Sequence, residues 1–235
     1  MQKIIYVLFG LGLFFAACTN SSTPPDLVIE QPRTKVSIQT QYGEMLIELF
    51  NETPKHRDNF LKLVKEGFYD SLLFHRVQPN FMIQGGDPES KGAVAPDYWL
   101  GNGNTKDRIP AELNSKFIMR QGALCGFHKG VGHQPDKSSN GSQFMIIHGQ
   151  ALKAYQVKEI SLKNKVNYTP EQIHLYEMYG GTPQYDNTYT VFGQIIKGMN
   201  VLDKIVQAKT HRSVDPTLPD RPIEDIRMIV NIVEK

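Results

Sequence analysis

The sequence has few of the residues that mark several classes of protein. Its two cysteines, Cys18 and Cys125, cannot build a framework of disulfides. The 26 basic and 24 acidic residues nearly balance, and a net charge of +2 gives no electrostatic reason to expect nucleic acid as a partner. His128 and His133 have a spacing that matches no metal signature, and Gly85-Gly86 is not followed by the Lys-Ser/Thr of a phosphate loop. The sequence therefore predicts a protein that uses no metal and no cofactor and binds no nucleic acid.

The apolar run near the N-terminus is shorter than the roughly 20 residues that a membrane-spanning helix needs. It covers residues 4–15, follows a lysine and precedes Ala-Ala-Cys18, which is the order of a signal peptide. Phe-Ala-Ala-Cys also resembles a bacterial lipobox, whose cysteine receives diacylglycerol. The pattern predicts a signal peptide over residues 1–17 and a lipidated, polar and Pro-rich tether over residues 18–34. The alternative is an ordinary secretory signal that happens to end near a cysteine.

Short apolar runs with a period of two residues dominate residues 35–235, and turn residues separate them. The runs begin near Val36, Met45, Phe74, Ala123, Gln143, Tyr189 and Ile226. One helix is expected to open at Thr53-Pro54, where Thr can cap and Pro fits the first turn, and another includes Val201 and Ile205. Many short strands with one early and one late helix predict an all-β closed barrel capped by helices.

Residues 151–181 depart from this strand pattern because they are polar, prone to form helix and poor in strand formers. Thr169 and Gln172 have the spacing of a capping box, with a proline at the first helical position between them. Gly180-Gly181 then ends the helical pattern. The segment is therefore interpreted as a helical insertion between two strands.

Two segments contain the motifs that indicate function. Residues 74–88 read Phe-His-Arg-Val-Gln-Pro-Asn-Phe-Met-Ile-Gln-Gly-Gly-Asp-Pro, and residues 140–144 read Asn-Gly-Ser-Gln-Phe. Together with residues 189–193 and 198–200, they resemble the motifs of the cyclophilin family in the family's order. The resemblance implies a closed eight-stranded antiparallel barrel with two capping helices. It also implies peptidyl-prolyl cis-trans isomerase activity without a cofactor.

The chemistry of this reaction explains why an arginine is placed in the first motif. Rotation about an Xaa-Pro bond has a barrier of about 18–20 kcal/mol, because twisting breaks the resonance between the nitrogen lone pair and the carbonyl. A donor aimed at that nitrogen therefore binds mainly the twisted state. Arg76 suits this role, since a guanidinium is always protonated and carries five donors in a rigid fork.

The resemblance also assigns the remaining site residues. It implies catalysis by Arg76 and Gln84, and substrate binding by Phe81, Met82, Phe127, His128, Gln143, Met145, Tyr185 and Tyr189. Met145 stands where many members carry Phe, and Tyr185 stands where Leu is usual. Gln184 occupies the position of the Trp that is usual in cyclosporin-sensitive members, which predicts weak cyclosporin binding.

The expected substrates are proline-containing peptides and unfolded proteins, and the expected state is a monomer. Cys18 would attach the protein to a membrane of the bacterial cell envelope, facing the periplasm, where it would assist protein folding. Two rival interpretations remain open. One is a chaperone module that binds proline segments with negligible turnover, and the other is a structural protein of the envelope.

Overall fold

The computed structural model describes residues 32–93, 99–103, 105 and 107–233. The predicted signal peptide, Cys18 and most of the predicted tether therefore lie outside the described residues. The strands are β1 Lys35–Thr40, β2 Gly43–Leu49, β3 Phe74–Gln78, β4 Met82–Gly85, β5 Arg108–Ile109, β6 Ala123–Gly126, β7 Ser139–Asn140, β8 Phe144–Ile147, β9 Val191–Lys197 and β10 Ile229–Val233. The helices are α1 Pro54–Lys65, α2 Ala154–Asn164, α3 Pro170–Tyr179, α4 Met199–Ile205 and α5 His211–Val214, and 3-10 turns form at Pro88–Ser90 and Pro183–Tyr185.

Eight of the strands form one antiparallel sheet in the order β10-β1-β2-β9-β6-β8-β4-β3, while β5 and β7 pair separately. The period-2 pattern explains how this sheet buries one face. Val36 and Ile38 of β1 pair with Ile47 and Met45 of β2, and all four side chains are fully buried. The prediction of an all-β fold with eight antiparallel strands is confirmed.

The prediction of a closed barrel is confirmed only as a curled sheet, because hydrogen bonds do not close it. In the described part of the chain, β3 and β10 are the two edges of the sheet and form no ladder with each other. The chain before β10 instead approaches β3 through an isolated bridge between Leu73 and Arg227 and a few backbone hydrogen bonds. Period-2 patterns show where strands are, but they do not show whether the two edges meet in register.

Two helices pack on the main core, as the sequence predicted. They bury Phe60, Leu63, Val64, Val201, Leu202 and Ile205 in that core. Helix α1 begins at Pro54 as expected, but Thr53 makes no side-chain cap. The carboxylate of Glu112 accepts the backbone N–H groups of Lys55 and His56 instead, each at 2.9 Å. A distant residue therefore satisfies the first turn of this helix.

The helical insertion is confirmed, since α2 and α3 lie between β8 and β9. The predicted capping box starts α3: Gln172 N donates to Thr169 Oγ1 at 3.2 Å, and Thr169 N donates to Gln172 Oε1 at 3.1 Å. Val157 and Tyr176 bury against Ile118 in a small separate core. This core attaches the insertion to the segment that precedes β6. In the described residues, no helix has the length and hydropathy needed to cross a membrane.

Candidate active site

Strand pairing places the central motif residues in one row across the sheet. Arg76 on β3 lies opposite Gln84 on β4, and Gln84 lies opposite Met145 on β8. Met145 in turn lies opposite Cys125 on β6. Because directly paired residues point to the same face, the row brings a cation, an amide and an apolar side chain together from separate motifs.

A chain of hydrogen bonds orients the polar part of the row. Arg76 Nη1 donates to Gln84 Oε1 at 3.4 Å, and Gln84 Nε2 donates to Gln143 Oε1 at 2.7 Å. Gln143 Nε2 then donates to the carbonyl oxygens of Gly101 and Gly103. Both glutamines are buried, whereas 38% of the Arg76 side chain is exposed. Gln84 therefore orients the guanidinium through a hydrogen bond, and the exposed part of the Arg76 side chain remains accessible to a ligand.

Asp220 is a second partner of Arg76 that sequence reasoning missed. Its Oδ2 lies 3.6 Å from Arg76 Nε and accepts a hydrogen bond from Gln78 Nε2 at 2.6 Å. Its Oδ1 lies 2.7 Å from Arg212 Nε, and its side chain is 11% exposed. Asp220 lies far from the first motif in the sequence, in a loop with no periodic pattern, so no sequence signal pointed to it.

An apolar cluster lies beside the polar row. Its fully buried members include Met82, Cys125 and Met145, and its partly buried members include Phe81, Phe127, Tyr185 and Tyr189. The ring centroids of Phe81 and Tyr185 are 5.2 Å apart, and those of Tyr185 and Tyr189 are 6.1 Å apart. We call the three partly buried rings the walls of the cluster and the fully buried side chains beside them its floor. Burial raises the pKa of the Cys125 thiol well above its usual value, so this cysteine is an inert member of the floor.

The predicted substrate residue His128 supports Tyr189, one of the walls of the cluster. Its ring is 1% exposed and stacks on Tyr189, with centroids 4.2 Å apart. Its Nδ1 accepts a hydrogen bond from Gly130 N at 3.0 Å, so Nε2 carries the proton that is donated to Thr188 O at 3.0 Å. Burial lowers the pKa of His128 and favours this neutral ring. Both ring nitrogens of His128 therefore form hydrogen bonds within the protein.

A cavity of about 300 Å³ opens beside Arg76, lined in part by Gln84, Trp99, Phe127 and His75. His75 is buried, and this burial lowers its pKa to about 4, so its imidazole is neutral near pH 7. Arg76 and Arg212 are thus the cationic residues that line this cavity. Among the described residues, no cluster of three or more metal-ligating side chains occurs.

Comparison with known proteins gives consistent matches. The family model for cyclophilin type peptidyl-prolyl cis-trans isomerase matches residues 35–230. A putative peptidyl-prolyl cis-trans isomerase of Staphylococcus aureus strain COL is 34% identical over 199 residues, which are 84% of this chain and 90% of that protein. A putative bifunctional phosphatase/peptidyl-prolyl cis-trans isomerase of Streptococcus pyogenes serotype M6 is 33% identical over 98% of this chain, but the chain spans 44% of that protein's length.

Solved structures agree with these matches. The crystal structure of a Cryptosporidium parvum cyclophilin type peptidyl-prolyl cis-trans isomerase has a TM-score of 0.60 and 26% identity, covering 86% of this chain and 99% of that chain. The structure of that protein in the presence of the dipeptide Ala-Pro has a TM-score of 0.58 and 25% identity, with the same coverage. The family model covers far more than half of the sequence, and the curled sheet holds the motif residues in one site. The chain belongs to the cyclophilin family of peptidyl-prolyl cis-trans isomerases.

Proposed function

We propose that this chain isomerises Xaa-Pro bonds of peptides and partly folded proteins with Arg76 as the catalytic residue. The observation that carries the proposal is the position of Arg76, which Gln84 and Asp220 hold beside the apolar cluster. A cation and an apolar site for the proline ring, which we propose this cluster provides as a pocket, are the two features that this reaction needs. No nucleophile or proton transfer is required.

Arg76 acts on the twisted amide. As the Xaa-Pro bond rotates, its nitrogen becomes pyramidal and its lone pair becomes free to accept a hydrogen bond. In the planar ground state the lone pair is delocalised, so a guanidinium N–H gains this hydrogen bond mainly in the transition state. The guanidinium is already oriented by Gln84 and Asp220, and little reorganisation is needed during the reaction.

The aromatic walls and the methionine floor accept the proline ring. Phe81, Tyr185 and Tyr189 would contact its faces, and Met82 and Met145 would lie beneath it. Met145 is unbranched and adapts its shape, so it can serve where relatives carry Phe. Gln84 and Gln143 position the peptide and Arg76 through their hydrogen bonds, and His128 supports Tyr189. Phe127 borders the cavity beside Arg76 and would contact a residue next to proline.

The test is the rate of isomerisation of a short Xaa-Pro peptide. Arg76→Ala should lower kcat/KM about a hundredfold, which corresponds to about 2.7 kcal/mol of lost transition-state stabilisation. Arg57→Ala on α1 is the matched control, because Arg57 lies outside the site and pairs with the exposed Asp58. Equal rates for Arg76→Ala and the parent would overturn the assignment. A parent that binds proline peptides without turnover would support the chaperone interpretation.

We further propose that the protein works in the bacterial cell envelope. The apolar run over residues 4–15 and the lipobox-like segment ending in Cys18 support export and lipidation. A membrane anchor at Cys18 would place the isomerase domain near exported chains whose prolines must isomerise during folding. The reaction needs no cofactor in this proposal, and a single copy of the chain is sufficient for the site.

A further inference from the structure

Asp186 directly follows the 3-10 turn Pro183–Tyr185, which carries one wall of the pocket. The ring of Tyr185 lies 5.2 Å from that of Phe81 and 6.1 Å from that of Tyr189. Within the turn, Tyr185 N donates to Thr182 O at 3.0 Å. The contacts that hold this turn therefore fix where the ring of Tyr185 lies relative to the rings of Phe81 and Tyr189.

The carboxyl group of Asp186 is buried and is contacted by two side chains from the insertion. Tyr168 Oη lies 2.7 Å and Tyr176 Oη lies 2.5 Å from Asp186 Oδ2, while Met119 N donates to Oδ1 at 2.7 Å. Asp186 is 7% exposed. A buried carboxyl group with this many partners is a rigid junction between the insertion, the turn and the segment before β6.

Other contacts from the insertion reach the same turn. Tyr168 Oη also lies 3.1 Å from Pro183 O, and Asn164 Nδ2 donates to Gln184 O at 3.0 Å. Three side chains of the insertion thus contact three of the four consecutive residues 183–186. Their convergence indicates that the insertion acts on the turn rather than only filling space between β8 and β9.

We propose that Asp186 is a positioning residue, through which Tyr168 and Tyr176 make the helical insertion hold Tyr185 in the proline pocket, and that its ionisation weakens this hold. This inference rests on the proposed function, because it assigns the pocket beside Tyr185 to the proline ring. It gives the insertion a role in substrate affinity.

The hydrogen bonds change when Asp186 takes up a proton. Tyr168 has one hydroxyl proton and two neighbouring acceptors, Asp186 Oδ2 and Pro183 O. With an ionised carboxylate, both tyrosine hydroxyls donate to Oδ2. With a proton on Oδ2, the carboxyl group donates to Tyr168 Oη, and Tyr168 donates to Pro183 O. The protonated form leaves no charge in this buried site and adds the bond to Pro183 O, so it holds the turn more firmly than the ionised form.

The burial of Asp186 brings the protonation of its carboxyl group close to physiological pH. Burial raises the pKa of Asp186 to about 6, although the two hydroxyls and Met119 N act to lower it. The titratable groups near it are Tyr168, Tyr176 and Cys125, and burial raises the pKa of each, so they keep their protons. Among the side chains that the structure describes, no cation pairs with Asp186. The carboxyl group therefore titrates roughly between pH 5 and 7 while these neighbours do not.

The first experiment measures KM and kcat on an Xaa-Pro tetrapeptide at pH 7.5. The double variant Tyr168→Phe/Tyr176→Phe should raise KM about fivefold and leave kcat within about twofold, because substrate affinity is lost and the Arg76 chemistry is not. Tyr155→Phe, which alters an exposed tyrosine of α2, is the control and should match the parent. If the double variant matches the control, the insertion does not position Tyr185 and the proposal is overturned.

The second experiment follows KM with pH. In the parent, KM should fall about fivefold between pH 7.5 and pH 5, because protonation removes the buried charge, whereas Asp186→Asn should have a low and nearly constant KM. Asn resembles the protonated carboxyl group in shape and can donate to Tyr168. An inflection that persists in Asp186→Asn would come from another group, such as a histidine, and would overturn the role of the proton. Arg76→Ala tests the proposed function separately, since its loss of rate does not depend on either tyrosine.

Discussion

Arg76 is held by several side chains before any substrate binds. Gln84 accepts a hydrogen bond from Nη1 of its guanidinium and Asp220 lies 3.6 Å from its Nε, while 38% of the side chain stays exposed. Asp220 is shared with Gln78 and Arg212 and is mostly buried. At the scale of single residues, the orientation of the cation depends on partners from two separate parts of the chain.

Replacing Asp220 by Asn should lower kcat about fivefold and leave KM nearly unchanged, because the variant misplaces a donor that acts in the transition state. Asp58→Asn, which alters an exposed carboxylate on α1, serves as the control. The effect should vanish in an Arg76→Ala background, as double-mutant cycles show for residues that act through each other. An equal loss in both backgrounds would mean that Asp220 does not act through Arg76.

Gln184 is exposed on the turn beside Tyr185, and only its backbone oxygen is tied to the insertion. Its amide offers little apolar area to a large apolar ligand, and burying it without full pairing costs free energy. We expect weak inhibition of isomerase activity by cyclosporin. Gln184→Trp should strengthen the inhibition by adding an indole face and one N–H donor. Tight inhibition of the parent, unchanged in Gln184→Trp, would show that another residue decides drug binding.

The insertion is the element that distinguishes this fold from a plain curled sheet with two helices. It leaves and rejoins the sheet where Gln150 and Gly181 form an isolated bridge, so its two ends lie side by side. It has its own small core around Val157 and Tyr176. An element of this kind can be shortened without stretching the strands on either side.

Replacing residues 152–179 by a short Asn-Gly turn should change activity on longer proline-containing substrates more than activity on a tetrapeptide. The reason is that a tetrapeptide would lose only the positioning of Tyr185, whereas a longer chain would also lose the contacts that we expect it to make with α2 and α3. Isomerisation rates for both substrate lengths, with folding checked by circular dichroism, provide the measurement. Asn164→Ala, which removes the bond to Gln184 O, is the milder variant if the shortened chain does not fold. Unchanged kinetics on both substrates would leave the insertion without a substrate role.

At the scale of the whole molecule, the proposed anchor decides where the isomerase meets its substrates. Cys18→Ser should abolish labelling by a radioactive fatty acid and release the exported protein from membranes. One acyl chain binds a membrane only marginally, so firm attachment requires the several chains that a lipoprotein cysteine carries. Cys125→Ser controls for acylation of the other cysteine, which is buried. A parent protein that takes up no label would contradict the lipoprotein proposal.

Local sequence determined much of this protein. The capping box of Thr169 and Gln172 started α3, and period-2 runs marked the strands, because these signals join residues a few positions apart. The motif around Arg76 and Gln84 indicated the chemistry, since two short strands keep both residues in one row.

Tertiary structure decided the contacts between residues that lie far apart in the chain. Glu112 caps α1 in place of Thr53, Asp220 orients Arg76, and Asp186 joins the insertion to the pocket. Tertiary structure also decided that β3 and β10, the two edges of the sheet, form no ladder with each other in the described residues. Such contacts leave no periodicity in the sequence, because their energy depends on burial and on distances that exist only once the chain has folded.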